Sequence, residues 1–404
     1  MVDGRLCVLC RGGPSRLCGL EYCPALARAL SLQALRPVSR IYSSSSPPSV
    51  YVGWLRYPEV TAAAGLPPEV GETSIYDYPE KWLELSLDDV LRLRLTLVRG
   101  GALVRVHDLS NNFVSKLREL SMSSKPVDVE VVFEKRVRPR AILDENVPPM
   151  GPLAPVRRLD IGSNPYVSRY VEKVHGDVDL GAKKAVLYLY KSSVPISTIA
   201  RILSTGSVGK LWRRKLVPTR WAITAVDSAI SEALVRELVD KPPINEIRLY
   251  TNARSGNLFV VVLLPTRWMF EWIEAWFPGS TWNAFGEEVV IEGDWELTSR
   301  REKYPSIGGC YYASRLAVAE YLSRLGRQAG AVLYREIYPS FNIPIGVWFV
   351  REMVRATLSR PCRVYSNLGD LLADLKDVAR VPVERIVEKS RILNLLVRGR
   401  RLLD

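Results

Sequence analysis

Four cysteines close to the amino terminus have the spacing of a metal site. Cys7, Cys10, Cys18 and Cys23 follow the pattern C-x2-C-x7-C-x4-C. Four thiolates can surround one zinc ion, and closely spaced pairs let a tight turn present two sulfurs to one metal. Because four sulfurs leave no position for water, we expect a structural zinc rather than a catalytic one. Two disulfides or four unrelated cysteines are the alternatives.

A stretch rich in lysine and arginine follows two predicted helices near the middle of the chain. The helices cover 181–192 and 196–204, and no acidic residue occurs between 207 and 220. A basic helix beginning at Ser207 would complete a helix-turn-helix, a motif that docks on DNA. An ordinary helical hairpin with a solvated basic face is the alternative. The candidate ligands of phosphate or nucleic acid here are Lys210, Arg213, Arg214 and Arg220.

Carboxylates and arginines recur on predicted strands and a helix in the second half of the chain. Carboxylates at the end of a strand can act as general acid and base, and arginines can hold phosphate. A structural ion-pair network is the alternative. The candidate catalytic groups are Asp227, Glu292, Asp294, Glu336 and Glu352, and the candidate phosphate ligands are Arg335 and Arg351.

Two further polar segments each allow two interpretations. Serine and proline fill 43–49, which is typical of a surface linker but could also form a loop that holds a phosphate. His175 is followed by Asp177 and Asp179, so its imidazole could serve as a general base, or the segment could be a solvated loop.

The composition and charge restrict the classes of protein to consider. The chain has 404 residues, enough for two or three domains, and a formal net charge of +13 that favours a polyanionic partner such as nucleic acid. The sequence shows no signal peptide and no apolar run long enough to cross a bilayer. We therefore expect a cytoplasmic protein with no membrane partner.

The hydrophobic pattern predicts an α+β fold with a mixed central sheet and surrounding helices. Strands and helices intermingle without a clean βαβ alternation. We predict helices over 85–98, 107–122, 221–239, 267–276, 313–325, 345–358, 367–377 and 383–397, and strands over 127–133, 246–251, 258–264, 288–291 and 331–337. The predicted domains are a zinc-binding knuckle (1–30), two parts of the core (31–155 and 156–378) and a basic helical tail (379–404).

Several segments along the whole chain resemble the archaeal Nre family, described as novel archaeal repair proteins. The longest runs from Arg214 to Asp227 and reads RKLVPTRWAITAVD. The others are the cysteine cluster, Ser46 to Gly53, Leu97 to Gly100, Pro149 to Pro152, Gly308 to Arg315, Pro344 to Trp348 and Val350 to Glu352.

The resemblance implies a role in DNA damage repair and a four-cysteine zinc site. It also implies binding to the PCNA sliding clamp through a short motif near the carboxyl terminus. The segment here has the aliphatic anchor and the apolar end of such a motif but lacks its glutamine and aromatic pair. The candidate clamp-binding residues are Ser390, Leu393, Leu396 and Val397. An amphipathic helix packed on the protein body is the alternative.

The sequence thus leads to two functional hypotheses. The first is a DNA repair protein that acts at DNA and is recruited by the sliding clamp. The second is a nucleotide-processing hydrolase that cleaves an N-glycosidic or phosphate bond in a pocket of arginines and carboxylates.

Overall fold

The computed structural model describes residues 38–399, apart from positions 139, 145, 300 and 302. The predicted zinc knuckle lies outside this range. Within it the chain forms two compact units, 38–230 and 231–399. The predicted boundary at 155/156 falls inside a strand of the first unit.

The first unit is built on a six-stranded mixed sheet. Its strand order is β1-β5-β6-β4-β3-β2, with β4 and β6 parallel and every other neighbouring pair antiparallel. The strands are β1 (Ile41–Ser46), β2 (Val50–Val52), β3 (Glu59–Leu66), β4 (Val98–Arg105), β5 (Val127–Phe133) and β6 (Leu153–Ile161). The helices are α1 (Leu87–Thr96), α2 (Asn112–Met122), α3 (Arg169–Gly176), α4 (Ala182–Lys191), α5 (Ile196–Ser204) and α6 (Thr219–Leu238), the last of which runs into the second unit.

Alternating side chains explain how the sheet and α2 form one core. In β5 the odd positions from Val127 to Phe133 are buried, which matches the predicted strand. Val114, Leu117 and Leu120 of α2 join the same apolar cluster. The helix begins where the Asn111 side chain accepts hydrogen bonds from the amides of the next turn.

The serine-rich segment 43–49 is not a linker, and that interpretation was wrong. It contains the last four residues of β1 and the turn into β2, and Ser44, Ser45, Ser46 and Ser49 are all buried. Ser45 Oγ donates to Asp128 Oδ1 at 2.5 Å and accepts from the Gly71 amide at 2.8 Å. Small polar side chains suit this position because buried polar groups at the sheet edge need hydrogen-bond partners and there is little room for larger side chains.

The helix-turn-helix interpretation was also wrong. The predicted helices are present as α4 and α5, but a single turn of 3-10 helix (Leu211–Arg213) replaces the second helix of the motif. Gly206 and Gly209 have φ values of +66° and +106°, which L side chains adopt at a cost. The chain therefore turns back on itself instead of starting a helix.

The second unit is a six-stranded sheet between two layers of helices. The strand order is β10-β9-β11-β8-β7-β12, in which only β9 and β11 pair in parallel. The strands are β7 (Ile247–Arg254), β8 (Asn257–Leu264), β9 (Met269–Trp276), β10 (Val290–Glu296), β11 (Gly330–Ile337) and β12 (Arg363–Tyr365). The helices are α7 (Gly309–Leu325), α8 (Trp348–Leu358), α9 (Leu368–Val378), α10 (Val383–Lys389) and α11 (Arg391–Val397).

The two helical layers follow from strands that are apolar on both faces. Every residue of β8, β9 and β11 is buried. One face of the sheet packs on α9, α10 and α11, and the other packs on α7 and α8. The predicted helix over 267–276 was wrong, because a central strand buried on both faces loses the alternation that identifies strands in sequence.

The fold is α+β with mixed sheets, as predicted. No helix within the described residues is long and apolar enough to cross a membrane.

Gly151 offers a test of the close contact between α1 and the segment that leads into β6. A Cβ at this position would lie 2.4 Å from the backbone oxygen of Leu95 and 2.5 Å from that of Leu97. We expect Gly151→Ala to lower the free energy of unfolding by about 3 kcal/mol, because backbone atoms cannot move aside cheaply. Gly176→Ala is the control, since a Cβ there meets nothing within 4 Å. Equal urea denaturation midpoints for the two variants would contradict this description.

Candidate nucleic-acid interface

The buried guanidinium of Arg214 fixes the shape of the basic stretch. Its Nε donates to the carbonyl of Gly209 at 2.8 Å, and Nη2 donates to the carbonyls of His175 at 2.8 Å and Asp177 at 3.2 Å. Burial is the main cause that lowers the pKa of Arg214. A planar cation with several donors is suited to joining carbonyls from separate segments.

His175 supports the same loop through one ring nitrogen, and the general-base interpretation stays a prediction. Its Nδ1 lies 2.7 Å from the carbonyl oxygen of Ser207. Because a carbonyl can only accept, Nδ1 carries the proton of this hydrogen bond. Burial lowers the pKa of His175, so the neutral ring is favoured.

A cluster of Tyr57, Lys215 and Trp221 lies beside this loop. The rings of Tyr57 and Trp221 have centroids 5.2 Å apart, and Lys215 Nζ donates to the Tyr57 hydroxyl at 3.0 Å. Thr219 Oγ1 accepts the Val52 amide at 2.8 Å and so fastens the start of α6 to β2. Although they touch, the two aromatic residues stay 38% and 45% exposed.

A second aromatic–cation pair lies three residues before Lys215. Lys210 Nζ is 5.1 Å from the ring centroid of Trp212, and Trp212 is 66% exposed. Trp212 and Lys215 are three residues apart, at most about 11 Å of chain, so the pair and the first cluster are adjacent along the backbone. We call the combined set the aromatic–basic surface: Arg56, Tyr57, Lys210, Trp212, Arg213, Lys215 and Trp221.

This surface has the groups that bind unpaired nucleic acid. Aromatic rings stack on bases of any sequence, and nearby lysines and arginines contact the phosphates. Large exposed aromatic side chains lose favourable burial, so several within one short segment indicate a binding surface. The single turn of 3-10 helix gives no recognition helix for the major groove, which favours stacking over base-edge readout.

Arg220 lies behind the surface and is held by other contacts. Its Nη1 is 3.4 Å from Asp144 Oδ2, and its guanidinium is 5.0 Å from the ring centroid of Trp54. The four predicted basic ligands therefore separate into two exposed cations (Lys210 and Arg213), one loop support (Arg214) and one partly buried ion pair (Arg220). Asp227, on α6, is buried.

Glu336 anchors the tail of the second unit. Its carboxylate accepts hydrogen bonds from the hydroxyls of Tyr334 at 2.9 Å and Tyr338 at 2.5 Å. It also accepts the amides of Arg380 at 3.0 Å and Val381 at 2.8 Å. A buried carboxylate with four donors is fully used by the fold.

Arg335 points to the opposite face of the sheet from Glu336. It donates to Glu274 at 2.9 Å and to Asn257 at 2.7 and 2.9 Å, beneath the ring of Phe349. Successive residues of a strand face opposite ways, so Arg335 and Glu336 do not share a pocket.

The remaining candidate groups form local ion pairs. On α8, Glu352 accepts from Arg355 at 2.8 Å and lies 3.4 Å from Arg351. On β10, Glu292 lies 3.5 Å from Lys389. These contacts match the alternative of a structural ion-pair network.

Asp294 on β10 is held by a neighbouring loop. It accepts from Arg301 at 2.5 Å and from the Ser306 amide at 2.7 Å. Burial raises the pKa of Asp294, but the bonds from Arg301, Ser306 and the Trp295 amide outweigh it, and the net pKa is below its usual value. A carboxylate stabilised in its charged form is poorly suited to donate a proton.

The predicted clamp-binding segment is packed on its own unit. Ser390 caps α11 and donates to Glu271 at 2.5 Å, and Glu271 also accepts the amides of Arg391 and Ile392. Leu393 is buried, Leu396 packs against the core and Val397 is exposed.

The four cysteines of the predicted zinc site lie outside the described residues. In the part of the chain that the structure does describe, no group of three or more His, Cys, Asp or Glu residues could hold a metal ion.

The sequence reasoning missed the aromatic half of the interface. The available signal was the pairing of Trp212 and Trp221 with basic neighbours in a stretch without acids. Tyr57 gave no such signal, because it comes from a loop more than 150 residues away and joins the cluster only in the folded chain.

Comparison with known proteins gives a family match over nearly the whole chain. The model described as "Archaeal Nre, N-terminal" matches residues 17–283, and "Archaeal Nre, C-terminal" matches residues 296–404. No solved structure matches the chain significantly.

Three curated relatives are similar along most of their length. DNA repair protein NreB of Archaeoglobus fulgidus is 43% identical over 394 residues, covering 98% of this chain and 97% of that protein. DNA repair protein NreA of the same organism is 36% identical, covering 91% and 92%. DNA repair protein NreA of Haloferax volcanii is 34% identical, covering 85% and 84%.

The free energy of unfolding can test whether Arg214 supports the loop while Arg213 is only an exposed cation. We expect Arg214→Gln to lower the free energy of unfolding by about 2–4 kcal/mol, because three carbonyls lose a buried charged donor. Arg213→Gln is the matched control and should change it by less than about 0.5 kcal/mol, since Arg213 is exposed. Urea denaturation followed by circular dichroism measures both, and an Arg214→Gln protein as stable as wild type would refute the assignment.

Proposed function

Since the chain belongs to the archaeal Nre family, we propose that it is a DNA repair protein that binds unpaired DNA through the aromatic–basic surface. Its curated relatives carry the name DNA repair protein. The observation that carries the proposal is the contact of exposed aromatic rings with lysines, Trp212 with Lys210 and Tyr57 with Lys215.

Single-stranded DNA suits this surface better than an intact duplex. Bases in a duplex are stacked on one another and expose no ring face, whereas unpaired bases can stack on Trp212 and Trp221. Damaged sites are where bases unpair most easily. The surface would thus favour regions in which repair is needed, without reading a sequence.

The hydrolase hypothesis gains no support from the arrangement of its candidate groups. Arg335 and Glu336 face opposite sides of a sheet, and Asp294 is bonded to Arg301. DNA binding is therefore the function that the geometry supports best.

Recruitment by the sliding clamp stays a prediction, and the structure indicates what it requires. Leu393 is buried, and Glu271 holds the first amides of α11. The helix would have to leave this position before Leu393 could enter a groove on another protein.

The four amino-terminal cysteines support the proposal of one structural zinc ion. Thiolates alone form a closed site that stabilises a short segment without contributing to catalysis. We expect about one zinc per chain by elemental analysis. Cys7→Ala should lower the melting temperature, with Cys362→Ala, a cysteine outside the cluster, as the comparison. A purified chain that contains no zinc would contradict this proposal.

The DNA proposal predicts distinct effects for the cations and the rings. Anisotropy titrations with a labelled single-stranded oligonucleotide should give a log–log salt slope of about −3, because the surface carries Arg56, Lys210, Arg213 and Lys215. Lys210→Ala should reduce the slope by about 0.7. Trp212→Ala should weaken binding by about 5- to 100-fold and leave the slope unchanged, because it removes stacking alone.

Two exposed residues of the second unit provide matched controls. Arg324→Ala and Tyr304→Ala remove an exposed cation and an exposed ring that do not belong to the aromatic–basic surface. Both should bind like wild type. Salt-independent binding, or Trp212→Ala and Lys210→Ala proteins that bind as tightly as the controls, would refute the proposal.

A further inference from the structure

A second cationic site lies inside the first unit, around Arg99 of β4. Arg99 is 1% exposed, and Arg94 at the end of α1 is also buried. The two guanidiniums are close enough that Arg94 depresses the pKa of Arg99. Two buried cations in one neighbourhood are costly unless anions balance both of them.

Arg94 is fully paired. Its Nη1 donates to Asp77 Oδ1 at 2.6 Å and to the Tyr76 carbonyl at 2.8 Å, and its Nε donates to the Pro149 carbonyl at 3.2 Å. The guanidinium also lies 5.4 Å from the ring centroid of Trp82. Arg94 therefore has a structural role.

Arg99 is paired poorly. Its Nη1 lies 3.4 Å from Ser49 Oγ, a long hydrogen bond, and its Nε has no hydrogen-bond partner among the described residues. The hydroxyl of Ser46, also buried, has none among them either. Burial and the neighbouring Arg94 lower the pKa of Arg99 to about 9.

The carboxylates nearby do not balance the site. The Asp77 carboxylate interacts electrostatically with three arginines, Arg94, Arg99 and Arg201. Its short ion pair is with Arg94. The Glu80 carboxylate also interacts electrostatically with Arg201. Among these described residues three arginines face two carboxylates, and Arg99 has the fewest hydrogen-bond partners of the three.

The groups of Ser49 and Tyr51 that neighbour Arg99 come from the serine–proline turn and β2, and Ser46 lies three residues before Ser49. Ser46 ends β1, Ser49 precedes β2, and the Tyr51 ring centroid lies 6.0 Å from the Arg99 guanidinium. Gly65 is paired with Arg99 across β3 and β4, and a Cβ there would lie 2.6 Å from Ser49. Glycine at this position lets the serine approach the arginine.

Tyr51 and Asp77, which both interact with Arg99, are partly exposed, so we assign the approach of a ligand to this side. Arg220 and Trp54 lie next to Tyr51. Burial raises the pKa of the Tyr51 hydroxyl and the charge of Arg220 partly opposes this rise, while the Arg220 guanidinium makes a cation–π contact with the Trp54 ring. An entering molecule would meet aromatic faces first and the buried cation last.

We propose that Arg99, with the hydroxyls of Ser46 and Tyr51, binds the phosphate group of a nucleotide. A guanidinium can bind two phosphate oxygens at once, and the hydroxyls can donate to the third. A carboxylate has only two oxygens and would leave donors unsatisfied. Trp54 supplies a ring face for the base. This site is separate from the aromatic–basic surface and does not depend on DNA binding there.

Ligand-dependent melting of the full chain tests the site. We expect deoxyadenosine 5′-monophosphate at a hundredfold excess over its Kd to raise the melting temperature by about 3–7 °C. Inorganic phosphate should do so at higher concentration, whereas deoxyadenosine and acetate at equal ionic strength should have no effect. Phosphate that stabilises the chain when the nucleotide does not would overturn the nucleotide assignment, and acetate that acts equally would overturn the phosphate assignment.

Substitutions link the response to Arg99. Arg99→Met should abolish the nucleotide response, and the free protein should stay folded because a buried cation with poor pairing is replaced by an apolar chain. Arg92→Met, an exposed position on α1, is the control and should respond like wild type. A folded Arg99→Met protein that retains the full response would overturn the proposal.

Ser46→Ala keeps the test decisive if Arg99→Met fails to fold. The Ser46 hydroxyl has no partner among the described residues, so its removal should not destabilise the free protein. We expect the nucleotide Kd to rise about 3- to 10-fold. An unchanged Kd, or no response of the wild-type chain to any phosphate compound, would overturn the proposal.

Discussion

The aromatic–basic surface depends on the buried guanidinium of Arg214. Three carbonyl groups from two separate segments converge on it, and Gly206 and Gly209 supply the left-handed backbone that brings the chain back toward it. The residues just before it, including Trp212 and Arg213, are exposed. One cation is used to hold the loop so that its neighbours can face a ligand.

Arginine has several roles in the chain, and the partners distinguish them. Arg94, Arg335 and Arg355 each have a carboxylate at short distance and stabilise their units. Arg213 is exposed and available to a polyanion. Arg99 is buried beside hydroxyls with too little negative charge. Net charge indicates a polyanionic partner, but only the contacts show which cations can meet one.

The local pattern of apolar residues predicted those helices and strands that bury one face, and turn residues marked where elements begin and end. β5 alternates strictly, α5 begins after Pro195, and β7 and β8 are joined by a turn at Gly256, so all were recognised. β9 was assigned as a helix, because a strand buried on both faces has no polar side to reveal its period. The second helix of the supposed helix-turn-helix failed because tertiary bonds of Arg214 override local propensity.

The candidate site was less predictable, since long-range contacts assemble it. Lys210 and Arg213 were identified from charge alone, but Tyr57 and the Arg99 site require knowing which distant segments meet.

Hydrogen–deuterium exchange of the full chain, with and without a single-stranded oligonucleotide, tests most directly the central claim that the aromatic–basic surface binds unpaired DNA. The account predicts that DNA slows amide exchange in peptides covering 53–58 and 207–222. Unchanged exchange there, with slower exchange confined to peptides from 231–399, would contradict it.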